Sequence, residues 1–167
     1  MCAGIAQGFN TFATERPDGA LIGPWNASLH HPAVGKASWE LTKAVNAIGV
    51  LPTNVREIAI LVVAGHYQAA FQIYAHVAAS ERAGMLPARL LALTANARPS
   101  DLTTDEAVAF EVAYALCQGG PLPEPTWQRA VETFGELGAS QLIYLVGVYS
   151  FVSMTLNGFD VPVPQAV

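Results

Sequence analysis

From residue 35 onward, apolar residues recur along the chain at the three-to-four-residue spacing of helices packed on a core. No segment alternates apolar and polar residues between hairpin turns, as a half-buried strand would. This pattern predicts an all-α domain of about six to seven helices. The segments assigned to helices are 37–48, a stretch that starts at Asn54 and includes 58–63, then 69–82, 87–96, 104–118, 125–134 and 139–156.

Two of these helices begin with a capping pattern. Thr103 is followed three residues later by Glu106, and Asn54 is followed at the same distance by Glu57. We therefore predict that Asn54 caps the second helix. The segment 58–63 is apolar nearly all round and rich in β-branched residues, so a buried strand is an alternative. The cap, and the helical stretch that follows at once, favour a buried helix.

The two ends of the chain are expected to be less regular. Residues 1–35 form a leader rich in Gly, Pro, Asn and Asp, which favour loops, and 157–167 is predicted to be an extended tail. We treat 1–167 as a single domain, because domains commonly have about 100–200 residues. Residues 1–11 lack the basic-then-apolar pattern of a signal peptide. A cytoplasmic protein is the expectation.

The composition is more apolar than that of a typical soluble monomer. Hydrophobic residues make up 52% of the chain and charged residues only 13%, against a usual charged fraction of about 25%. The apolar runs 58–64 and 142–152 are shorter than the ~20 residues of a membrane span, so no membrane is expected. We predict instead a homo-oligomer. Candidate interface residues on the last helix are Leu142, Val146, Tyr149 and Phe151.

Charge and motifs exclude several function classes. The net charge of −5 and the lack of basic runs argue against a nucleic-acid partner. There is no G-x-S-x-G, no phosphate-binding glycine loop, and no H-x-x-x-H or H-E-x-x-H spacing, so no metal is expected. Cys2 and Cys117 form no C-x-x-C pair. Two inert thiols explain them most simply, and a disulfide between them stays open.

The candidate chemistry lies on the second and third helices. Gln72 and His76 are four residues apart and share a helix face, and Glu57 begins the preceding helix. A carboxylate that orients an imidazole, with an amide nearby, would form a proton-transfer site. The alternative is structural: Glu57 as a capping carboxylate and His76 as a hydrogen-bonded core residue. His66 falls on the opposite face from Glu57 and is left out.

The leader contributes candidates for a binding pocket. Trp25 follows Gly-Pro and either lines an apolar pocket or packs as a lid on the core. His30 lies in the same leader. We take Trp25, His30, Phe71 and Gln72 as candidate substrate-binding residues, and Glu57 and His76 as candidate catalytic residues.

Several segments together resemble the carboxymuconolactone decarboxylase and alkylhydroperoxidase D-like family. Residues 56–63 are similar to its R-E-x-x-I-L helix start, 71–76 to its Y-E-W-x-x-H segment and 83–85 to the ending of that segment. The leader segment 18–26 resembles the family's G-x-L-x-G-P loop, and 147–149 and 157–162 resemble its C-terminal part. The resemblance implies an alkylhydroperoxidase D-like helical bundle and a homotrimer or homohexamer.

The resemblance also separates two branches of the family. The peroxidase branch carries C-x-x-C-x-x-x-H, and aligning its His with His76 places Ala69 and Gln72 at the two cysteine positions. Because thiol redox chemistry needs a thiolate, peroxidase activity is not expected. Glu57 falls at the position of the Glu that serves those cysteines.

The decarboxylase branch works without sulfur, metal or organic cofactor. The resemblance of this chain to that branch implies that His76 supplies a proton, that Glu57 sets the tautomer of His76, and that Gln72 hydrogen-bonds a carbonyl or carboxylate. This chain has Gln72 and Ile73 where the branch has E-W, so a more apolar substrate is expected. The hypothesis is a cofactor-independent lyase, decarboxylase or isomerase for a small lactone or carbonyl compound. The alternative is a non-catalytic ligand-binding protein.

Overall fold

The computed structural model describes residue 15 and residues 18–164, and within this part the chain is all-α. The only β pairing there is an isolated bridge between Glu15 and Leu21. The predicted bundle of six to seven helices is confirmed. The seven helices among the described residues are α1 Pro24–Ser28, α2 Pro32–Ala47, α3 Thr53–Tyr67, α4 Ala70–Arg82, α5 Pro87–Thr94, α6 Thr104–Cys117 and α7 Glu124–Gly158.

Helix α3 lies at the centre of the fold and packs against α4, α5, α6 and α7. Every residue from 58 to 64 is at most 1% exposed, which explains why this segment is apolar on all sides rather than amphipathic. Fully burying one large aliphatic side chain contributes about 1.5–3 kcal/mol. The core is therefore built around α3, and the buried-strand alternative is excluded.

The start of α3 differs from the prediction. The N-cap residue is Pro52, and no side chain caps this end, so the assignment of Asn54 as the cap was wrong. The Asn54 side chain instead donates to Glu106 Oε1 of α6, with 2.8 Å between the atoms. A tertiary hydrogen bond to a buried carboxylate has replaced the local cap. The Thr103–Glu106 capping box at the start of α6 is confirmed.

At three places, helices extend beyond the segments that the sequence suggested. Pro24 and Pro32 occupy the first turns of α1 and α2, a position where proline's fixed φ and missing N–H are tolerated. Part of the leader is therefore helical. The two helices predicted at 125–134 and 139–156 form one kinked element, α7, with Gly135 at φ 70°. Because α7 runs to Gly158, it takes in the first residues of the predicted tail.

Helix α7 supplies one wall of the core. Leu142, Val146 and Tyr149 are 0%, 5% and 6% exposed within the chain, so their assignment to an oligomer interface was wrong. They lie on the inner face of α7, which packs on α3 and α6. By length and composition α7 could cross a membrane, and half of its most apolar 18-residue window is buried inside the protein.

Candidate functional site

Glu57 and His76 come from neighbouring helices that are joined by a very short connection. Gln68 ends α3 in the left-handed conformation, at φ 51° and ψ 39°, and α4 begins two residues later at Ala70. This tight turn packs α4 beside α3. A residue near the start of α3 can therefore meet one in the middle of α4.

The structure brings the two candidate catalytic residues into direct contact. His76 Nδ1 lies 2.8 Å from Glu57 Oε2, and the two side chains are 12% and 11% exposed. Glu57 is thus engaged by the imidazole and not by the backbone at the helix start. When Nδ1–H donates to the carboxylate, the tautomer is fixed and Nε2 remains as the ring atom for a ligand.

A cluster of polar residues lies beside this pair. The Tyr149 ring meets the His76 ring edge-on, with 5.0 Å between centroids. Arg56 Nη2 donates to Asn46 Oδ1, and Asn46 Nδ2 donates to the Thr42 carbonyl oxygen over 2.9 Å. These contacts join α4 to α7 at His76 and α2 to α3 at Arg56, the neighbour of Glu57 in the chain.

Tyr149 is held in its neutral form by these surroundings. Complete burial raises the pKa of its phenol, and the negative charge of Glu57 raises it further, while Arg56 and a hydrogen bond with Asn46 act in the opposite direction. The net pKa lies far above its usual value, so the phenol stays protonated at neutral pH. No motif in the sequence pointed to Asn46 or Tyr149 as part of the site. Tyr149 is distant from Glu57 along the chain, and Asn46, which precedes Glu57 by only eleven residues, belongs to no recognisable motif.

A cavity of about 90 Å³, partly open to the surface, adjoins His76. Its walls come from α1, α2, α4 and α7, and they are mostly aromatic and aliphatic. The lining residues are Pro24, Trp25, Ser28, Gly35, Ser38, Trp39, Thr42, Phe71, Gln72, Ala75, His76, Tyr149, Phe151, Val152, Thr155 and Leu156. An apolar hollow with a few convergent polar groups is the usual form of a small-molecule site.

Most, but not all, of the candidate binding residues line this cavity. Trp25, Phe71 and Gln72 do, and Trp25 is 5% exposed. His30 does not. Helix α1 ends before His30, and the exposed His30 ring stacks on the Phe159 ring with 4.7 Å between centroids. The placement of His30 in the binding site is therefore corrected.

The wall formed by α1 approaches α4 very closely. Gly23, at φ 68°, immediately precedes α1, and a Cβ atom there would overlap the ring of Phe71. Only glycine allows both this backbone conformation and this close approach. The segment that carries Trp25 is therefore seated directly on the helix that carries Gln72 and His76.

Gln72 has one satisfied and one unsatisfied polar atom. Its Oε1 accepts a hydrogen bond of 3.0 Å from Ser153 Oγ on α7. Its Nε2 is buried and has no partner among the described residues. Ser153 was not singled out from the sequence, and nothing local could have identified it, because it meets Gln72 across 81 positions of the chain.

Sulfur and metal ligands do not gather at this site in the described part of the chain. Ala69 and Gln72 occupy the positions at which the peroxidase branch has its cysteines, and Ala69 is fully buried. Burial raises the pKa of the Cys117 thiol to about 11, so it is not a thiolate at neutral pH. No three His, Cys, Asp or Glu residues within the described ranges could hold a metal ion. Cys2, and with it the disulfide alternative, lies outside those ranges.

Two solved structures share this architecture. No protein-family model and no curated protein matches the sequence. One similar structure is ATU0492 from Agrobacterium tumefaciens, a protein of unknown function that carries the name of the antioxidant defence protein AhpD. It has a TM-score of 0.76 and 17% identity, with 84% of this chain and 97% of that chain covered.

The second is the debrominase Bmp8, as a cysteine-to-alanine variant in complex with 2,3,4-tribromopyrrole. It also has a TM-score of 0.76, with 14% identity over 97% of this chain and 82% of that chain. Identities this low establish a shared fold and nothing finer. Together with the seven helices described above, they show that this chain has the alkylhydroperoxidase D-like fold.

Proposed function

We propose that the protein binds a small, mostly apolar lactone or carbonyl compound in the cavity and catalyses proton transfer on it, without a metal or organic cofactor. The observation that carries this proposal is the 2.8 Å contact between His76 and Glu57 at the wall of an apolar cavity. Acid–base pairs of this kind are found where a ring nitrogen must be held in one tautomer and kept basic.

Each residue has a role that its contacts support. Glu57 accepts the Nδ1 proton of His76 and stabilises the imidazolium that forms when Nε2 takes a proton from the ligand. The electrons left on the ligand move to its carbonyl oxygen, and the buried Nε2 of Gln72 can hydrogen-bond that oxygen. The apolar walls exclude water, which strengthens both interactions.

The volume of the cavity limits the size of the ligand. An enclosed apolar cavity of about 150 Å³ accommodates benzene, and this one measures about 90 Å³ and is open on one side. The reacting part of the ligand is thus one small ring or a chain of similar volume, with any further substituent directed outward. The tribromopyrrole bound to Bmp8 is likewise a single ring.

A non-catalytic ligand-binding protein is the second candidate. The predominance of aromatic and aliphatic walls favours it, because such a cavity retains an apolar ligand without any chemistry. In that case the Glu57–His76 pair only holds α3 and α4 together. The two functions differ in whether His76 affects turnover or only stability.

Replacement of His76 tests the proposal. We expect His76→Gln and His76→Ala to fold but to lose proton transfer by about 10²-fold or more. The assay follows uptake of solvent deuterium into small lactones, unsaturated ketones and unsaturated keto acids by NMR. His31→Gln, at an exposed position, is the matched control and should leave exchange unchanged. Full activity in the His76 variants would exclude the proposed mechanism, and unfolding of both would favour the structural role.

A further inference from the structure

Resting on the proposed function, we infer that the cavity selects an uncharged carbonyl compound over a carboxylate, and that Gln72, held in position by Ser153, makes this selection. The sequence left a carbonyl and a carboxylate equally open as the partner of Gln72. Two independent features of the structure separate them, namely the hydrogen bonding of the Gln72 amide and the charges around the cavity.

The Gln72 amide has one orientation available for recognition. The residue is 2% exposed, and its oxygen is occupied by the Ser153 hydroxyl at 3.0 Å. This leaves Nε2, a donor, as the atom without a partner in the described part of the protein. Buried donors are nearly always satisfied, because an unpaired one loses its hydration and gains nothing. A ligand that offers an acceptor oxygen satisfies it.

The charges around the cavity disfavour an anion. Of the described residues that line it, none is Asp, Glu, Lys or Arg. Glu57, which contacts His76, repels a second carboxylate, and the Arg56 guanidinium, whose positive charge acts on Tyr149, is not among the residues that line the cavity. A buried carboxylate needs a cation or several donors, and a single amide N–H meets that need only for a neutral carbonyl oxygen.

Selection of a neutral carbonyl compound limits the class of reaction that the site can catalyse. His76 Nε2 removes a proton from the carbon next to the carbonyl group, and the C–H electron pair moves to the carbonyl oxygen to give an enolate. The Gln72 N–H hydrogen-bonds that oxygen. The imidazolium then returns the proton to the far carbon of the conjugated system, the carbonyl reforms, and the double bond has shifted. No atom is lost and nothing is oxidised or reduced, so the reaction is an isomerisation and not a loss of CO₂.

Three probes of one ring size test the selection on the unaltered protein. They are cyclopent-3-enone, which is neutral with an acceptor, cyclopent-3-ene-1-carboxylate, which is charged, and cyclopentene, which has no acceptor. Binding is followed by the fluorescence of Trp25 and Trp39, which line the cavity, and isomerisation by the absorbance of the conjugated ketone. We expect the ketone to bind at least about tenfold more tightly than the carboxylate. Equal or tighter binding of the carboxylate, or binding of none of the three, overturns the inference.

Variants of the amide pair test the residues. Gln72→Met keeps the volume and removes the donor, so ketone binding should weaken about tenfold while cyclopentene binding is unchanged. Ser153→Ala frees the amide to rotate and should weaken ketone binding in the same selective way. Ser150→Ala is the control and should leave ketone binding unchanged, because the Gln72 oxygen accepts from Ser153. A merely structural role of Ser153 would affect both probes equally. Undiminished ketone binding in Gln72→Met would contradict the role assigned to Gln72. If Gln72→Met does not fold, Gln72→Leu is measured in its place.

The outcomes also separate this inference from the proposed function. If the protein acts on the carboxylate probe and His76→Gln abolishes that activity, the selection of a neutral ligand is wrong and the proton-transfer function stands. If ketone binding depends on Gln72 but isomerisation survives in His76→Gln, the selection stands and the proposed function is wrong.

Discussion

Glu57 shows how a position along the chain and a position in space lead to different roles. Three residues after Asn54, it has the spacing of a capping carboxylate. In the folded chain it lies 2.8 Å from His76 instead. The pairing was predictable, because adjacent helices with a short connection bring such residues together. Tyr149 and Ser153 were not, since they meet residues that are distant in sequence. Asn46 was not either, although Arg56, which donates to it, is only ten residues away.

At the residue scale, the charge of Glu57 is expected to matter more than its shape. Glu57→Gln keeps the size of the side chain but no longer stabilises an imidazolium, so proton transfer should fall by about 10²-fold at neutral pH. The measurement is deuterium exchange into the ligand, with thermal unfolding as the check on folding. Glu81→Gln, on the exposed surface of α4, is the control and should behave as the unaltered protein. Equal exchange rates in Glu57→Gln and the unaltered protein would show that the Glu57 carboxylate has no catalytic role.

At the element scale, the sequence predicted which segments are helical but not all of their ends. The apolar residues that mark helices α2 to α7 in the sequence pack on the core, on one face of most of these helices and on nearly all faces of α3. The ends at Pro24, Pro32 and Asn54 were misassigned, because prolines that begin helices resemble loop residues and because Asn54 is used in a tertiary contact. Long-range competition of this kind cannot be read from local sequence.

The contact of α3 with α5 depends on Gly65. A Cβ atom at this position would lie 2.6 Å from the carbonyl oxygen of Leu93. We expect Gly65→Ala to destabilise the fold by about 1–3 kcal/mol, although alanine is the better helix former. Gly147→Ala is the matched control, since nothing in the chain lies within 4 Å of its Cβ position, and it should be neutral or stabilising by up to about 1 kcal/mol. Urea unfolding of both variants measures the difference, and equal stabilities would contradict the close approach.

Glu106 makes the stability of the α6 N-terminus depend on pH. Burial raises the pKa of this carboxyl, but the Thr103 backbone N–H, the Asn54 amide and the Arg89 guanidinium together outweigh burial, and the net pKa is lowered. A lowered folded-state pKa stabilises the protein above the unfolded value of about 4.3. This contribution is lost as the pH falls from there through the folded-state pKa.

Glu106→Gln should therefore be less stable than the unaltered protein at pH 7, by about 1–3 kcal/mol. The difference should shrink as the pH falls below about 4. Urea unfolding between neutral and acidic pH provides the measurement. Glu132→Gln, at an exposed position on α7, is the control. A constant difference at all pH values would show that the carboxylate charge is not what stabilises the helix start.

At the scale of the whole molecule, the apolar surplus seen in the composition appears on the outer face of α7. Leu137, Tyr144 and Phe151 follow one another at seven-residue intervals and, with Met154, form a stripe whose members are 44–58% exposed. Residues at this spacing share one face of a helix. We expect a second copy of the chain to cover this stripe, rather than the three buried residues chosen from the sequence.

The oligomeric state provides the test of that surface. Light scattering should give the mass of a trimer or hexamer, and Leu137→Glu combined with Tyr144→Glu should lower it, because charges at the centre of an apolar interface are left unpaired. Leu91→Glu is the control, since Leu91 is 72% exposed on α5, away from the stripe. A monomeric mass for the unaltered protein, or no change in the double variant, would contradict the assignment.

The close contact between Gly23 and Phe71 means that one wall of the cavity and the acid–base pair depend on different residues. The Glu57–His76 pair is held by α3 and α4, whereas the wall that carries Trp25 contacts Phe71 at Gly23 and packs on α2 and α7. A larger residue at Gly23 would adopt a strained backbone conformation and would have to displace α1 or the Phe71 ring. A chain of this fold with another residue at this position would therefore need a differently shaped cavity wall, even where its acid–base pair is the same.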